Sequence, residues 1–293
     1  MDIVLFHSGN KLPSFLECTF RQIRVFNPDT NVHFITDRAY LGSEVFHKYN
    51  ILPVDKDTCY SDDIHYFEVL YGRGINDFWT ITTTRLVYIA NFIRDNNLKN
   101  VYHFENDVLL YADLTKYEQI FRKLYKDLAI TIGGSDKAIT GFMFIRNYSA
   151  LSHMTNFLMG LLKSHKIRDI RWMYKMDMVN EMTLMRVYSK QYPELMVSLP
   201  ILPFGEFSKG YKEFDSIFDP ASWGQYVGGT MEGIPGAKPE DHYIGQLLRE
   251  NLDYTVVWDY EDKGRVPYFR WDNHEVKINN LHIHSKQLNK YLS

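Results

Sequence analysis

Two carboxylates one residue apart interrupt an otherwise apolar run in this chain of 293 residues. The run is 100–114, NVYHFENDVLLYADL, and the acids are Glu105 and Asp107. In an extended segment side chains alternate with period two, so both carboxylates point to one side with Cα atoms roughly 6–7 Å apart. That spacing suits one hard divalent cation, because Mg²⁺ and Mn²⁺ favour oxygen ligands. The structural alternative is that Asp107 caps a turn and Glu105 pairs with a nearby Arg or Lys.

A second group with ligand chemistry is the pair of histidines in 280–286, NLHIHSK. If 276–284 forms one strand, His282 and His284 share a face of it. A neutral imidazole suits Mn²⁺ better than Mg²⁺. The alternative is two solvated histidines on a strand edge, and the spacing does not decide which of the two would bind a metal.

Three carboxylates are candidates for proton transfer, and two of them lie in one apparent helix. The pattern of 173–188 predicts a helix on which Asp177 and Glu181, four residues apart, share a face beside a stripe of methionines. That boundary between core and solvent suits a carboxylate with a slightly raised pKa. Glu181 is the preferred residue, with a solvated helix face as the alternative. Asp136 is the third candidate, and Asp241 is a more remote one.

Helices and strands alternate through the first half of the chain. Because strands alternating with helices of this length form mostly parallel sheets covered on both faces, we expect the α/β class. Ligands bind such sheets at the carboxyl ends of the strands, which is where the two acids lie. The predicted strands are 3–6, 32–35, 100–104, 128–132 and 141–145, and the predicted helices are 15–25, 80–97 and 114–126.

The second half changes character without a clean linker, so we expect one composite domain over 1–293. Helices dominate from about residue 148, a Pro/Gly-rich region covers 200–239, and a last strand is predicted over 276–284. Trp223 and Tyr226 lie in a Gly- and aromatic-rich loop. Their rings would either stack on a ligand or seal the core.

Composition and charge exclude several classes of protein. With 45% hydrophobic and 24% charged residues, the chain resembles an ordinary soluble globular protein. A formal charge of −3 argues against nucleic acid as a main partner. Cys18 and Cys59 are too few for a disulfide framework. The start MDIVLFHSGN is not a signal peptide, and no apolar run approaches the ~20 residues of a membrane span. We therefore expect a soluble, cytoplasmic protein.

The block 82–114, TTTRLVYIANFIRDNNLKNVYHFENDVLLYADL, resembles the GT-A-fold glycosyltransferases. In that family a helix carrying an Arg precedes a strand that ends in the DxD motif, and here the motif has the common ExD form. The resemblance implies a GT-A, Rossmann-like fold. It also implies that Glu105 and Asp107 hold Mn²⁺ or Mg²⁺, which grips the diphosphate of a nucleotide sugar.

The same resemblance extends to positions whose motifs are less specific. It places His7 and Ser8 in a pocket for the nucleotide base, and Asp37 beside the nucleoside. Arg85 would contact the diphosphate or the motif acids, with a surface helix Arg as the alternative, and Asn106 would contact the nucleotide. The last segment would supply a third metal ligand, His282 or His284, and a basic residue toward the diphosphate, Lys286.

The predicted function is transfer of a sugar from a nucleotide-diphosphate sugar, with UDP favoured, to a hydroxyl of a saccharide or glycan. Inverting transfer is favoured, with the base among Glu181, Asp177 and Asp136. Residues 1–147 would form the nucleotide-sugar half and 148–293 the acceptor half. Rival predictions are a sugar-phosphate nucleotidyltransferase and a metal-dependent carbohydrate-binding protein without turnover. The loop after the first strand, 8–13, has one Gly and one Lys, which disfavours the nucleotidyltransferase.

Overall fold

A seven-stranded mixed sheet forms the centre of the fold. The computed structural model describes residues 1–72, 77–132, 137–165, 167–175, 178–224 and 254–293. The strands of the central sheet are β1 (Asp2–Phe6), β2 (Asn31–Thr36), β3 (Leu52–Asp55), β4 (Lys99–His103), β6 (Leu128–Thr131), β7 (Ile139–Asn147) and β8 (Met196–Ser198). Their order is β3-β2-β1-β4-β7-β6-β8, in which only β7 runs antiparallel to its neighbours. This confirms the predicted α/β class with a mostly parallel sheet.

Two smaller sheets lie beside the central one. β9 (Thr255–Glu261), β10 (Gly264–Trp271) and β11 (His274–Lys277) form an antiparallel three-stranded sheet. β5 (Val108–Leu110) and β12 (Asn280–His282) form an antiparallel pair in which Val108 lies opposite His282. This pair joins the segment after the two acids to the far end of the chain.

Helices cover both faces of the central sheet. They are α1 (Leu16–Phe26), α2 (Glu44–Lys48), α3 (Asp62–Gly72), α4 (Asp77–Asp95), α5 (Leu114–Leu124), α6 (Tyr148–Ser164), α7 (Ile167–Tyr174), α8 (Glu181–Gln191) and α9 (Tyr211–Phe214). Among the described residues, none of these helices combines the length and the hydropathy needed to cross a membrane.

The alternation of side chains along β1 shows how the two cores form. Val4 and Phe6 pack into the core under α4, α6 and α8, whereas Ile3 and Leu5 pack into the core under α1 and α5. Successive strand residues point to opposite faces, so a strand covered on both sides must be apolar throughout. Residues 3–6 are therefore all buried, as the unbroken apolar run predicts.

The predicted helix over 173–188 is wrong, because α7 ends at Tyr174 and α8 begins only at Glu181. Asn180 is the N-cap: its side chain accepts from the Thr183 N–H at 3.0 Å, and the Thr183 hydroxyl accepts from the Asn180 N–H at 3.1 Å. This reciprocal cap satisfies N–H groups at the start of α8 and fixes a new helix start. Glu181 is thus a first-turn residue, and Asp177 lies outside the described residues.

The predicted strand over 276–284 is also wrong, because it is divided between β11 and β12. The backbone changes partner at Ile278, whose N–H bonds the carbonyl of Pro267 in β10 at 2.9 Å. The next N–H, of Asn279, bonds the carbonyl of Ile217 at 2.8 Å. β12 ends at His282, so His284 lies beyond the strand and the two histidines do not share a strand face.

Candidate metal and active site

Glu105 and Asp107 lie in a tight turn rather than in an extended strand. β4 ends at His103, and the Val108 N–H donates to the Glu105 carbonyl at 3.1 Å, which closes a four-residue turn before β5. The predicted extended segment, with both side chains on one side by period-two alternation, is therefore wrong. The two carboxylates nonetheless converge, since β5 pairs with β12 and brings His282 against the turn.

Glu105, Asp107 and His282 form a cluster with the geometry of a metal site. One ligand atom from each lies within 4.8 Å of the others. The His282 Nε2 is 3.2 Å from the Asp107 Oδ1 and 3.4 Å from the Glu105 Oε2. Two carboxylate oxygens and one imidazole nitrogen are a donor set suited to Mn²⁺. The residues present thus fit a divalent cation.

Cationic groups on both sides keep the two acids ionised. Arg85 donates to the Glu105 Oε1 at 2.6 Å, and the Thr140 hydroxyl donates to the same oxygen at 2.5 Å. Burial opposes ionisation of Glu105, but Arg85, His282 and the Thr140 hydroxyl together outweigh it and lower the pKa of Glu105 to about 2. Lys286 pairs with the Asp107 Oδ2. Burial likewise opposes ionisation of Asp107, but His282 and Lys286 hold its pKa well below the ordinary value.

The two histidines have different surroundings. Burial alone would lower the pKa of His282, but the adjacent Asp107 raises it. His284 lies edge-on against His282, with ring centroids 4.3 Å apart. Burial, followed by the charge of His282, lowers the pKa of His284 to about 3, so His284 is neutral. The structure brings His282 into the three-residue cluster and places His284 against its ring, outside that cluster.

Asp219, which the sequence analysis did not select, clamps the backbone of His282. Its carboxylate is fully buried and accepts hydrogen bonds from the backbone N–H groups of four residues at 2.8–2.9 Å. The donors are Ser222, Trp223, Gly224 and His282. One carboxylate therefore ties the 219–224 loop to β12. No pattern in the local sequence distinguishes Asp219 from the other loop acids, since its partner His282 is 63 residues away.

Two glycines allow the close approach of β12 to its neighbours. A Cβ atom on Gly224 would lie 2.6 Å from the backbone nitrogen and 2.7 Å from the carbonyl oxygen of His282. A Cβ atom on Gly141 would lie 3.0 Å from the His282 Nδ1. The position of the imidazole in the cluster thus depends on two backbones that carry no side chain there.

We expect Gly224→Ala to displace β12 and to lower the free energy of unfolding by about 1–3 kcal/mol, because the added methyl meets rigid backbone. The same displacement should weaken binding of Mn²⁺ by moving His282. Urea denaturation and Mn²⁺ titration measure the two effects. Gly160→Ala is the matched control: a Cβ there meets no atom within 4 Å, so the change should stabilise α6 by about 0.5–1 kcal/mol. Equal stability of Gly224→Ala and wild type would contradict the close approach.

Glu181 lies next to the metal cluster, connected through Arg85. Its Oε2 accepts from the Thr82 hydroxyl at 2.8 Å, and its Oε1 is 3.9 Å from the Arg85 Nη2. The residue is 3% exposed rather than at the core–solvent boundary that the sequence predicted. Burial raises the pKa of Glu181 to about 7, against the opposing charge of Arg85. A carboxylate with that pKa exchanges a proton near neutral pH.

The positions assigned to the nucleotide gather at the carboxyl ends of β1 and β2. The Gly9 N–H donates to the Asp37 Oδ2 at 3.0 Å, and the His7 ring contacts the Lys11 carbonyl at 3.0 Å. Lys56, which the sequence analysis did not select, bonds the Ser8 hydroxyl at 2.7 Å and the Asp37 Oδ1 at 2.5 Å. Ser8 and Asp37 therefore share one cation at this edge of the sheet.

The remaining candidates have separate outcomes. The Asn106 amide donates to the Phe6 carbonyl at 2.9 Å, which ties the acid turn to the end of β1. Trp223 is 2% exposed and packs on Tyr254 and Phe269, so its ring belongs to the core and is no stacking surface. Asp136, Asp177, Tyr226 and Asp241 lie outside the described residues.

Several solved structures resemble this fold remotely. Mouse xyloside xylosyltransferase 1 is 9% identical over 73% of this chain and 92% of that chain, with a TM-score of 0.49. The glycosyltransferase GlyE of Streptococcus pneumoniae is 13% identical over 73% of this chain and 48% of that chain, with a TM-score of 0.43. A cytidylyltransferase from Leptospira borgpetersenii is 11% identical over 67% of this chain and 74% of that chain, with a TM-score of 0.39.

No protein-family model matches the sequence, and no curated protein sequence matches it. Similarities this remote do not assign the chain to a family.

Proposed function

We propose that this protein is a metal-dependent glycosyltransferase of the GT-A type. It moves a sugar from a nucleoside-diphosphate sugar to a hydroxyl group of a saccharide or glycan. The observation that carries the proposal is the convergence of Glu105, Asp107 and His282 at the carboxyl edge of a parallel sheet. A buried carboxylate with a pKa near neutrality, Glu181, lies beside that cluster.

Glu105, Asp107 and His282 would hold Mn²⁺ or Mg²⁺. When bound, the cation neutralises the charge that develops on the departing diphosphate, a Lewis-acid contribution worth several kcal/mol. The Thr140 hydroxyl and Arg85 fix the Glu105 carboxylate, and Asp219 fixes the backbone of His282. Such outer contacts keep ligands in one orientation, so the cluster is held ready before a ligand arrives.

Lys286 supplies the positive charge closest to where a diphosphate would lie. Its ammonium pairs with Asp107 beside the metal cluster, and its side chain is 31% exposed. A phosphate oxygen there would gain a charge-assisted hydrogen bond from this ammonium. Arg85 is buried between Glu105 and Glu181, so its role is to hold the two acids rather than to contact the donor.

Glu181 would accept the proton of the acceptor hydroxyl, as inverting transfer requires. Its pKa near 7 leaves a large ionised fraction at neutral pH and gives it the basicity needed to take a proton. The Thr82 hydroxyl holds the Oε2 of Glu181, and the Oε1, which lies 3.9 Å from the Arg85 Nη2, would face an acceptor. Transfer with inversion at the anomeric carbon follows from this role.

The nucleoside of the donor would bind at the ends of β1 and β2, with UDP as the favoured nucleotide. Ser8, Asp37 and Lys56 offer a hydroxyl, a carboxylate and an ammonium at this edge. The ring of His7 lies on Phe34, with centroids 6.5 Å apart, and adds a flat surface. On this proposal 1–147 form the donor half, and 148–293 contribute Glu181 and the acceptor half.

A thermal-shift screen of nucleoside diphosphates, each with and without Mn²⁺, tests the proposal. We expect UDP with Mn²⁺ to raise the melting temperature most, since ligands that bind only the folded state stabilise it. UDP-sugar hydrolysis, or transfer to a mixed set of sugars, then separates an enzyme from a carbohydrate-binding protein. Stabilisation by nucleoside triphosphates and sugar phosphates, with pyrophosphate release, would favour a nucleotidyltransferase. No metal-dependent stabilisation by any nucleotide would refute the proposal.

A further inference from the structure

The outer face of α7 combines exposed cations with an exposed indole. Arg168, Arg171 and Trp172 lie on α7 at helical spacing, Lys175 follows directly after the helix ends, and all four are exposed. We call these four residues the α7 outer face. Trp172 is 83% exposed, and the adjacent Met173 is 42% exposed.

The inner side of the same helix anchors it to the body of the protein. Ile170 is fully buried, and Ile167 and Tyr174 pack against the core beneath the sheet. The outer face is therefore held in place and is not a frayed end. Its exposure is a property of the folded chain, and the apolar surface of Trp172 lies in water at a free-energy cost.

The net charge around this face is opposite in sign to the net charge of the whole chain. Residues 163–175 contain five basic residues and one acid, whereas the chain carries a formal charge of −3. Arg168 lies 3.6 Å from Asp169, the single acid, and its side chain is 87% exposed. A local excess of cations in an acidic protein indicates an anionic partner.

We propose that the α7 outer face docks the protein on anionic lipid surfaces. Indole rings favour the headgroup level of a membrane, where one edge is apolar and the N–H is wet. Lysine and arginine side chains around it bind the phosphates of the headgroups. Trp172 and Met173 enter the interface while Arg168, Arg171 and Lys175 remain at phosphate level. A nucleic acid is disfavoured, because even the five basic residues of 163–175 are too few for tight binding to its backbone at physiological salt.

α7 lies close along the chain to Glu181, so docking through α7 affects where the candidate active site lies relative to the lipid. α7 is followed directly by the segment that leads to Glu181, the first residue of α8. Seven residue steps separate Tyr174 from Glu181, so Glu181 lies within roughly 25 Å of the docked helix, where an acceptor carried on a lipid could reach it. The docking itself does not rest on the proposed catalysis, because it is measured as vesicle binding.

Co-sedimentation with vesicles tests the docking. We expect the protein to sediment with vesicles of equal parts phosphatidylcholine and phosphatidylglycerol, not with phosphatidylcholine alone, and to be released by high salt. Removing each arginine should weaken partitioning roughly fivefold, so Arg168→Ala with Arg171→Ala should weaken it about 25-fold. Trp172→Ala should weaken it at least about fivefold.

Matched controls distinguish binding through the α7 outer face from non-specific binding of vesicles. Tyr260→Ala removes an aromatic ring that is 78% exposed on β9, and Lys116→Ala with Lys212→Ala removes two exposed cations elsewhere. Both controls should bind vesicles like wild type. The proposal fails if wild type stays in the supernatant, or if the α7 variants bind as well as the controls. It also fails if Trp172→Ala instead dissociates an oligomer in sedimentation velocity, or if the same variants lose binding to a nucleic-acid duplex held more tightly than vesicles.

Discussion

Glu181→Gln should reduce sugar transfer by about 10²–10⁴-fold, because the substituted side chain cannot accept a proton. Binding of a nucleoside diphosphate with Mn²⁺ should stay near the wild-type level, since the metal cluster and Lys286 are unchanged. Turnover assays together with thermal shifts measure the two quantities separately. Wild-type activity should fall on acidification through about pH 7, the pKa at which burial holds this carboxylate. A bound cation beside Glu105 would draw this inflection downward.

The same substitution should stabilise the ligand-free protein above neutral pH. The pKa of Glu181 is raised on folding, so its contribution to stability is full below the unfolded pKa and is lost as pH rises through about 7. Glutamine resembles the protonated acid and escapes this loss. We expect the free energy of unfolding of the variant to exceed that of wild type by about 1–3 kcal/mol at pH 8. Near pH 4 the two proteins should differ little in this quantity.

Two controls make the Glu181 result specific. Glu206→Gln removes an exposed carboxylate and should leave turnover and stability unchanged. Thr82→Val removes the hydroxyl that donates to Glu181, and this hydrogen bond lowers the pKa of Glu181. The acidic limb of the pH–activity profile should therefore shift to higher pH, while activity persists at high pH. An unshifted profile with Thr82→Val, or full turnover with Glu181→Gln, would show that the proton leaves by another route.

Asp107→Asn should abolish the Mn²⁺-dependent part of nucleotide binding and lower transfer by about 10²–10⁴-fold. Asparagine keeps the shape of Asp107 but removes the charged oxygens that face His282 and Lys286. The loss corresponds to the several kcal/mol that a divalent cation supplies to a departing diphosphate. Mn²⁺ titration followed by electron paramagnetic resonance, alongside thermal shifts with UDP, measures the effect.

Asp113→Asn is the matched control for Asp107. Asp113 is also a partly buried acid paired with a lysine, Lys263 at 3.0 Å, but it lies at the start of α5. As asparagine it still caps that helix, so only a modest loss of stability is expected. If the Asp107 and Asp113 variants respond equally to nucleotide and Mn²⁺, the cation does not bind at the acid turn.

Local sequence patterns predicted the helices and strands of this fold more completely than they predicted which of these elements pair with each other. The unbroken apolar run at 3–6 predicts a strand buried on both faces, and that strand is β1, an interior strand of the sheet. The need of Glu105 and Asp107 for partners was equally readable, because two acids inside a buried run require compensation. Their actual geometry was not readable, since a turn and the pairing of β5 with β12 bring them to His282.

The errors have two physical sources. Periodicity extended one helix across 173–188, although Asn180 and Thr183 form a reciprocal cap that starts a new one. Periodicity likewise joined β11 to β12, although the backbone changes hydrogen-bond partners at Ile278. Lys56 and Asp219 were missed for a different reason. Their roles come from contacts with residues distant along the chain, which no local pattern records.

The pairing of β5 with β12 also determines when the site forms during folding. Lys286 and Asp107 are 179 positions apart, so their meeting closes a very long loop of chain. Such contacts carry a large closure entropy, so we expect this one to form after the parallel strands of the first half have collapsed. A folding intermediate that holds β1, β2 and β4 together would still lack the third ligand. Metal binding is then a kinetic marker of the last folding step, and it should appear with a delay after the bulk of the secondary structure.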